Sequence, residues 1–238
     1  MKRLISVVTL LLAAACTHVP FSAQPPARIL VLNLHGGKDA AGQSNVDAVA
    51  VLIEKTGADL VLMQDVDPAA LQALGSKLNY AAAAGGSVAA LARGFIGFNT
   101  TVPLTPAPRA ALALLASIRK GQYAAINAQI NPAEGRVSDD DLARVLDAIG
   151  SQKAAGTPLV VGGDFNATPD HPGIARLNAV GLRDAWAECG SGDGFTYPAN
   201  APAKRIDYLF LSGDLHCSAA TVMETQVSDH RPLLVTLK

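Results

Sequence analysis

The chain of 238 residues is 50% hydrophobic and 16% charged, apolar enough for one sizeable core and marginal for two, so one domain and a monomer are expected. A formal charge of -1 and 5% aromatic residues supply neither a basic stripe nor a row of stacking side chains, which argues against a general nucleic-acid surface. Any anionic ligand would have to be held by local chemistry.

The first residues, MKRLISVVTLLLAAACTHVP, place two cations before an apolar run and small residues before a cysteine. The run is too short to span a bilayer stably and has the layout of a secretory signal. Its ending, LLAAAC, resembles the lipobox of bacterial lipoproteins, with Ala13 where that motif more often has leucine. The resemblance implies a signal peptide over residues 1–15 and a lipid anchor on Cys16. Thr17 rather than Asp after the cysteine favours the outer membrane, so the expected location is the bacterial cell envelope, facing the periplasm. Losing residues 1–15 leaves 17 cations against 20 acids, a charge of -3. Cys189 and Cys217 then remain as an even pair in an oxidising compartment, and both a disulfide and two separate buried thiols stay open.

Residues 16–27 carry three prolines and no helical period, as a tether does. The domain is placed at 28–238. Arg28 to Leu34 and Ala58 to Val66 read as strands. Between them Val46, Val49, Ala50 and Ile53 share a helical face, with Ser44 or Asn45 as the cap and Gly57 as the stop. This β-α-β order calls for a buried sheet covered by helices. Val88 to Ala92, Ala111 to Ile118 and Gln122 to Ile130 are further strands, and Thr101 to Arg109, with three prolines, reads as a loop. Leu142, Val145, Leu146 and Ile149 mark a second helix, capped by Ser138 and closed near Gly156. Asp139, Asp140 and Asp141 fall in its first turn, where carboxylates complement the helix dipole without needing a metal. Leu159 to Gly162, Arg205 to Leu211 and Leu233 to Leu237 complete the strands.

Five apolar runs end in a residue able to bind a metal or move a proton: Asn33 in VLNLHGG, Asp65 in VLMQDVD, Asp164 and Asn166 in VVGGDFNATP, Asp207 in RIDYLFLS, and Asp229 with His230 in SDHRPLL. One such ending is ordinarily a turn. Strands ending together at one sheet edge would gather these groups, and carboxylates collected around a histidine separate their pKa values and can seat a hard cation.

On GDFNATP, RIDYLF and SDHRPLL together the chain resembles the endonuclease/exonuclease/phosphatase superfamily from about Arg28 to Lys238. The resemblance implies a four-layer α/β/β/α sandwich, two packed mixed sheets flanked by helices, and metal-assisted hydrolysis of a phosphoester with Mg²⁺ or Mn²⁺. Carried over, Asp164 activates the attacking water and Asn166 holds that water or a phosphate oxygen. His230 donates to the phosphate, and Asp207 fixes its tautomer. Asn33, Asp65 and Asp229 offer oxygens to the metal, and Asn127, in INAQI, matches the asparagine of the family's NTHL strand as a phosphate contact.

Two positions depart from the family pattern. Asp65 stands where LQEVD has glutamate, about one methylene shorter, and magnesium tolerates little error in ligand distance. Gln129 stands where NTHL has histidine and cannot carry positive charge. The expectation is a metal-dependent phosphoesterase, more a phosphodiesterase on a small or lipid-linked phosphate ester than a nuclease. The alternative is a catalytically impaired member acting as a binding module. Arg93, on the strand matching the family's GVAILSR, is a further candidate for phosphate.

Overall fold

β1 (Arg28–Asn33) shows how the fold is built: Ile29 and Val31 alternate with Leu30 and Leu32, and all four are buried. A strand with two apolar faces needs cover on both. In the computed structural model Ile29 and Val31 enter a core between two sheets, while Leu30 and Leu32 enter a second core with Val49, Ala50 and Ile53 of a helix. The structure describes residues 26–119, 121–130, 132–133, 136–213 and 215–238. The expected signal peptide, Cys16 and the tether through residue 25 lie outside them.

The first sheet has six strands: β1, β2 (Leu60–Gln64), β3 (Ala81–Gly85), β4 (Val88–Ala92), β13 (Cys217–Val222) and β14 (Leu233–Leu237), in the order β13-β14-β1-β2-β4-β3. The second also has six: β5 (Gly94–Pro103), β6 (Ala110–Ile118), β7 (Gly121–Gln129), β10 (Leu159–Asp164), β11 (Leu182–Asp184) and β12 (Asp207–Ser212), in the order β11-β12-β10-β7-β6-β5. β1 and β2 are parallel, as are β7 and β10, and the remaining pairs in these sheets are antiparallel. A short hairpin pairs β8 (Pro132–Ala133) with β9 (Arg136–Val137). Helices α1 (Val46–Thr56) and α2 (Pro68–Leu78) cover the first sheet, and α3 (Asp139–Ala154) and α4 (Pro172–Ala179) the second. The layers are helix, sheet, sheet, helix, as the resemblance implies. Among the described residues no helix is long and apolar enough to cross a membrane.

Several elements differ from the sequence-based expectation. The segment expected as a loop from Thr101 begins as strand: β5 runs to Pro103 on the edge of its sheet, where a missing N–H breaks no inner ladder. Asn45 occupies the cap position of α1 without a side-chain cap bond. Its Nδ2 instead donates to the carbonyls of Leu34, Lys38 and Val227, tying the loop after β1 to the segment before Asp229. Asp139, Asp140 and Asp141 do form the first turn of α3, and Ser138 accepts from Asp141 N as its cap.

Cys189, in α5 (Ala185–Cys189), is disulfide-bonded to Cys217 of β13. The bridge ties α5, which follows the second sheet's edge strand β11, to an edge of the first sheet.

Candidate active site

The alternation that builds the core also builds the site. On the inner face of β10, Val160 and Gly162 are followed by Asp164; on β1, Ile29 and Val31 by Asn33; on β2, Leu60 and Leu62 by Gln64; on β12, read backwards, Leu211 and Leu209 by Asp207. Successive inward side chains are apolar and then, at one common end, polar. Register aligns them further, because Asp164 lies opposite Gln129 on β7 and opposite Asp207 on β12. The site is the polar end of the layer between the sheets.

The double glycine before Asp164 has a steric cause. A Cβ on Gly163, at φ +143°, would stand 1.9 Å from the carbonyl oxygen of Ala128, and one on Gly162 would stand 2.8 Å from Leu62 Cδ1 of the opposing sheet. The backbone clash rules out any side chain at Gly163, and one at Gly162 would push aside Leu62 and Leu209, so the two glycines let β10 lie close to β7 and to the opposing sheet just before Asp164.

Asp164 is buried, and three groups hold its carboxylate. Asn33 Nδ2 donates to Oδ2 at 3.2 Å across the sandwich, Asn166 N donates to Oδ1 at 2.9 Å, and Asn166 Nδ2 donates to Oδ2 at 3.1 Å. Asn33 Oδ1 accepts from His35 N, which fixes the amide's orientation. The second Nδ2 hydrogen bond of Asn166 goes to Ile130 O at 2.9 Å, so both amide hydrogens are used and its Oδ1 is the atom left to face a ligand. Asn166, His35 and Asp65 all have positive φ, between 49° and 52°, so the backbone turns sharply just where three strands deliver functional groups.

His230 Nδ1 lies 2.9 Å from Asp207 Oδ2, and both residues are buried. Thr196 Oγ1 accepts from the backbone N–H groups of Ile206 and Asp207, Ser228 Oγ accepts from His230 N, and the Tyr197 ring packs 4.7 Å from the imidazole. Burial alone would lower the His230 pKa, but the charge and hydrogen bond of Asp207, helped by Asp164 and Asp229, reverse this and raise it to about 9. Burial, then the like charge of Asp207, raises Asp164 to about 7 against the opposing pull of His230, Asn166 and Asn33. One ligand atom from each of Asp164, Asp207 and His230 lies within 4.8 Å of the others.

The other expected residues are placed differently. Asp229 is half-buried at the lip, 3.8 Å from His35 Nδ1. Asp65 is exposed; its backbone carbonyl takes Gly36 N, which sets it beside the loop that follows Asn33, outside the tight cluster. Asn127 is not available to a phosphate. It is fully buried, its Nδ2 donates to Met63 O and Ala89 O, and its Oδ1 accepts from Gln64 Nε2 at 2.6 Å, so it rivets the sheets together below the site. Arg93 is also displaced: β4 runs antiparallel to β2, so the residue after Ala92 stands beside Asp59 at the far end of the sandwich. His171 accepts from Gly173 N as the cap of α4.

The wall beside the cluster includes Tyr197, which the sequence reads as core or cleft wall, and Lys204, which carries no motif. Asn166, Thr168, His171, Tyr197 and Lys204 line a recess of about 400 Å³ that opens next to the Asp164 turn. Its signal was present in TYP and KRID flanking the recognised motif.

The donor set fits a divalent cation. Two buried carboxylates share one imidazole, and Asp207 Oδ1 is buried without a hydrogen-bond partner, so the cluster is rich in hard donors and short of positive charge.

The family model "Endonuclease/Exonuclease/phosphatase family" matches residues 30–230. The chain belongs to the endonuclease/exonuclease/phosphatase family. Solved structures share the fold at low identity. The protein of that description from Beutenbergia cavernae is 17% identical with a TM-score of 0.79, over 90% of this chain and 72% of that one. The mannosyl-6-phosphatase Bt3783 of Bacteroides thetaiotaomicron is 15% identical with a TM-score of 0.72, over 89% and 99%. TDP2 of D. rerio, solved with a single-strand DNA product, is 15% identical with a TM-score of 0.72, over 89% and 98%. No match was found among curated proteins. In this family member both sheets contribute to one pocket, since Asn33 comes from the first and Asp164 and Asp207 from the second.

Proposed function

We propose that the chain is a divalent-metal-dependent phosphodiesterase acting on a small phosphate ester. The observation that carries this reading is the buried contact between Asn33 and Asp164 beside the His230–Asp207 pair. Asn33, Asp229 at the lip and Asp65 on the neighbouring turn are the oxygen donors that would hold Mg²⁺ or Mn²⁺ beside Asp164. When bound, the cation would supply neutralisation of the charge that builds on the phosphoryl group.

The side chains divide the remaining work. Ionised Asp164 accepts a proton from the attacking water, and Asn166 Oδ1 orients that water in line with the phosphorus. His230 keeps its Nδ1–H on Asp207, which leaves Nε2–H to donate to a phosphoryl oxygen or the departing alkoxide. With its pKa near 9 the imidazole is charged at neutral pH, which offsets the charge that Gln129 does not provide. The leaving group lies in the recess walled by Tyr197, His171 and Lys204. The local charge is carried by a few residues, which favours a small ester over a polynucleotide.

A second reading rests on the exposed, shortened Asp65 and the neutral Gln129: the pocket binds a phosphate ester without turning it over. Hydrolysis of bis(p-nitrophenyl) phosphate by the mature protein with Mg²⁺ or Mn²⁺ separates the two. Metal-dependent release of nitrophenol that disappears in His230→Ala supports the enzyme. An inert wild type in which Asp65→Glu with Gln129→His restores turnover supports the binding module.

A further inference from the structure

The end of the sandwich opposite the active site has its own chemistry. Arg28 begins β1, Arg93 follows β4, and Arg119 follows β6, and by register all three stand at this end. They stand around one buried residue, Asp59, which is 1% exposed. Asp59 Oδ2 accepts from Arg28 N at 2.9 Å, Oδ1 lies 2.8 Å from Arg119 Nε, and its backbone oxygen accepts from Arg93 N. Three exposed arginines around one buried acid leave a net positive surface.

Along the adjoining edge strand stand two aromatic side chains that no described residue covers. Phe95 and Phe98, on the edge strand β5, are 66% and 69% exposed, the highest values among the large apolar residues described. Phe95 lies opposite Ser117, two residues before Arg119, and Phe98 stands further along the same edge, at the bulge between Ile96 and Asn99. β1, the first described strand, begins at this end with Arg28. From Thr17 to Ala27 there are eleven residues, and a flexible chain of that length spans about 20 Å on average and at most about 40 Å.

We infer that this end, through Arg93, Arg119, Phe95 and Phe98, docks on an anionic lipid surface. Arginine attracts anionic headgroups, and exposed aromatic rings settle at the boundary between headgroup and acyl chain. A lipid on Cys16 would deliver the chain to the bilayer close to Arg28, at this same end. The nine-residue β6 spans about 30 Å, so the active site then opens away from the bilayer that holds the protein. A substrate reaching it would come from solution or from a facing surface, not from lipids of the anchoring leaflet.

The test uses the mature full chain with Trp186→Phe, carrying either Phe98→Trp or, as a control at the active-site end, Ala201→Trp. Each is mixed with vesicles of phosphatidylethanolamine and phosphatidylglycerol containing brominated lipid. The expected result is several-fold stronger quenching at position 98 than at 201, reduced by Arg93→Glu or by replacing phosphatidylglycerol with phosphatidylcholine. Equal quenching at the two positions, no quenching at 98, or a dimer in solution that Phe98→Ser converts to monomer would overturn the inference. None of these readouts uses phosphoester turnover, so the inference and the proposed activity fail separately.

Discussion

His230 Nδ1 and Asp207 Oδ2 are 2.9 Å apart, both buried, on segments 23 residues apart in sequence. Asp207 holds the imidazole by one nitrogen and raises its pKa, leaving Nε2 for chemistry. Asp207→Asn keeps the shape and removes the charge. It should lower kcat by about 10²–10⁴-fold and move the alkaline limb of the pH–rate profile to lower pH, because the main influence raising His230 is gone. Steady-state rates between pH 6 and 10 check both effects.

Stability of the metal-free protein should fall as pH rises. Asp164 is raised from 3.8 to about 7 and His230 from 6.5 to about 9, so each binds its proton more tightly folded than unfolded. For such groups the stabilisation is complete below the unfolded pKa and is lost as pH rises through the folded one. Asp164 therefore contributes until about pH 7 and His230 until about pH 9. Scanning calorimetry in chelator should show Tm dropping on the order of 5–10 °C between pH 5 and 9, and added Mn²⁺ should restore part of the loss at the alkaline end.

The Cys189–Cys217 bridge closes a loop of 28 residues. Loop-closure entropy for that length is worth about 3.5 kcal/mol. The double variant Cys189→Ala/Cys217→Ala should melt roughly 7–14 °C lower while keeping its kcat, since α5 and β13 meet away from the site. Thermal denaturation followed by an activity assay at 25 °C tests both halves.

Lys204 lines the recess beside Asn166 without touching the cluster. Lys204→Ala should raise KM several-fold for substrates whose leaving group carries an anion and leave kcat within about twofold, since uniform binding is what it provides. A neutral leaving group should show no difference. Kinetics on a matched pair of diesters measure this directly.

The parity of inward residues was open to reading in the sequence. Val160, Gly162 and Asp164 differ by two, as do Ile29, Val31 and Asn33, so a period-two strand with a polar last inward position places each group at one edge. Asn127 obeys the same parity, yet it lies one inward position below Gln129 and is sealed by Gln64. Whether such an amide faces solvent depends on the opposing sheet, which one strand's pattern does not contain. α2 is not among the helices read from the sequence, although Asp67 and Pro68 form a cap and first-turn pair, and Asp67 accepts from Ala69 N and Ala70 N. β5 and β13 are edge strands with mixed exposure and no clean alternation, so their periodicity is weak where pairing on one side suffices.

The claim most in need of measurement is that residues from both sheets act as one unit on one phosphoryl group. A double-mutant cycle on kcat/KM with Mn²⁺, using Asp164→Asn, His230→Gln and the pair together, addresses it. If water activation and proton donation serve one transition state in one pocket, the double variant should lose little more than the worse single variant. Losses that multiply, with each single variant still folded, would show that the two side chains act independently and contradict the account.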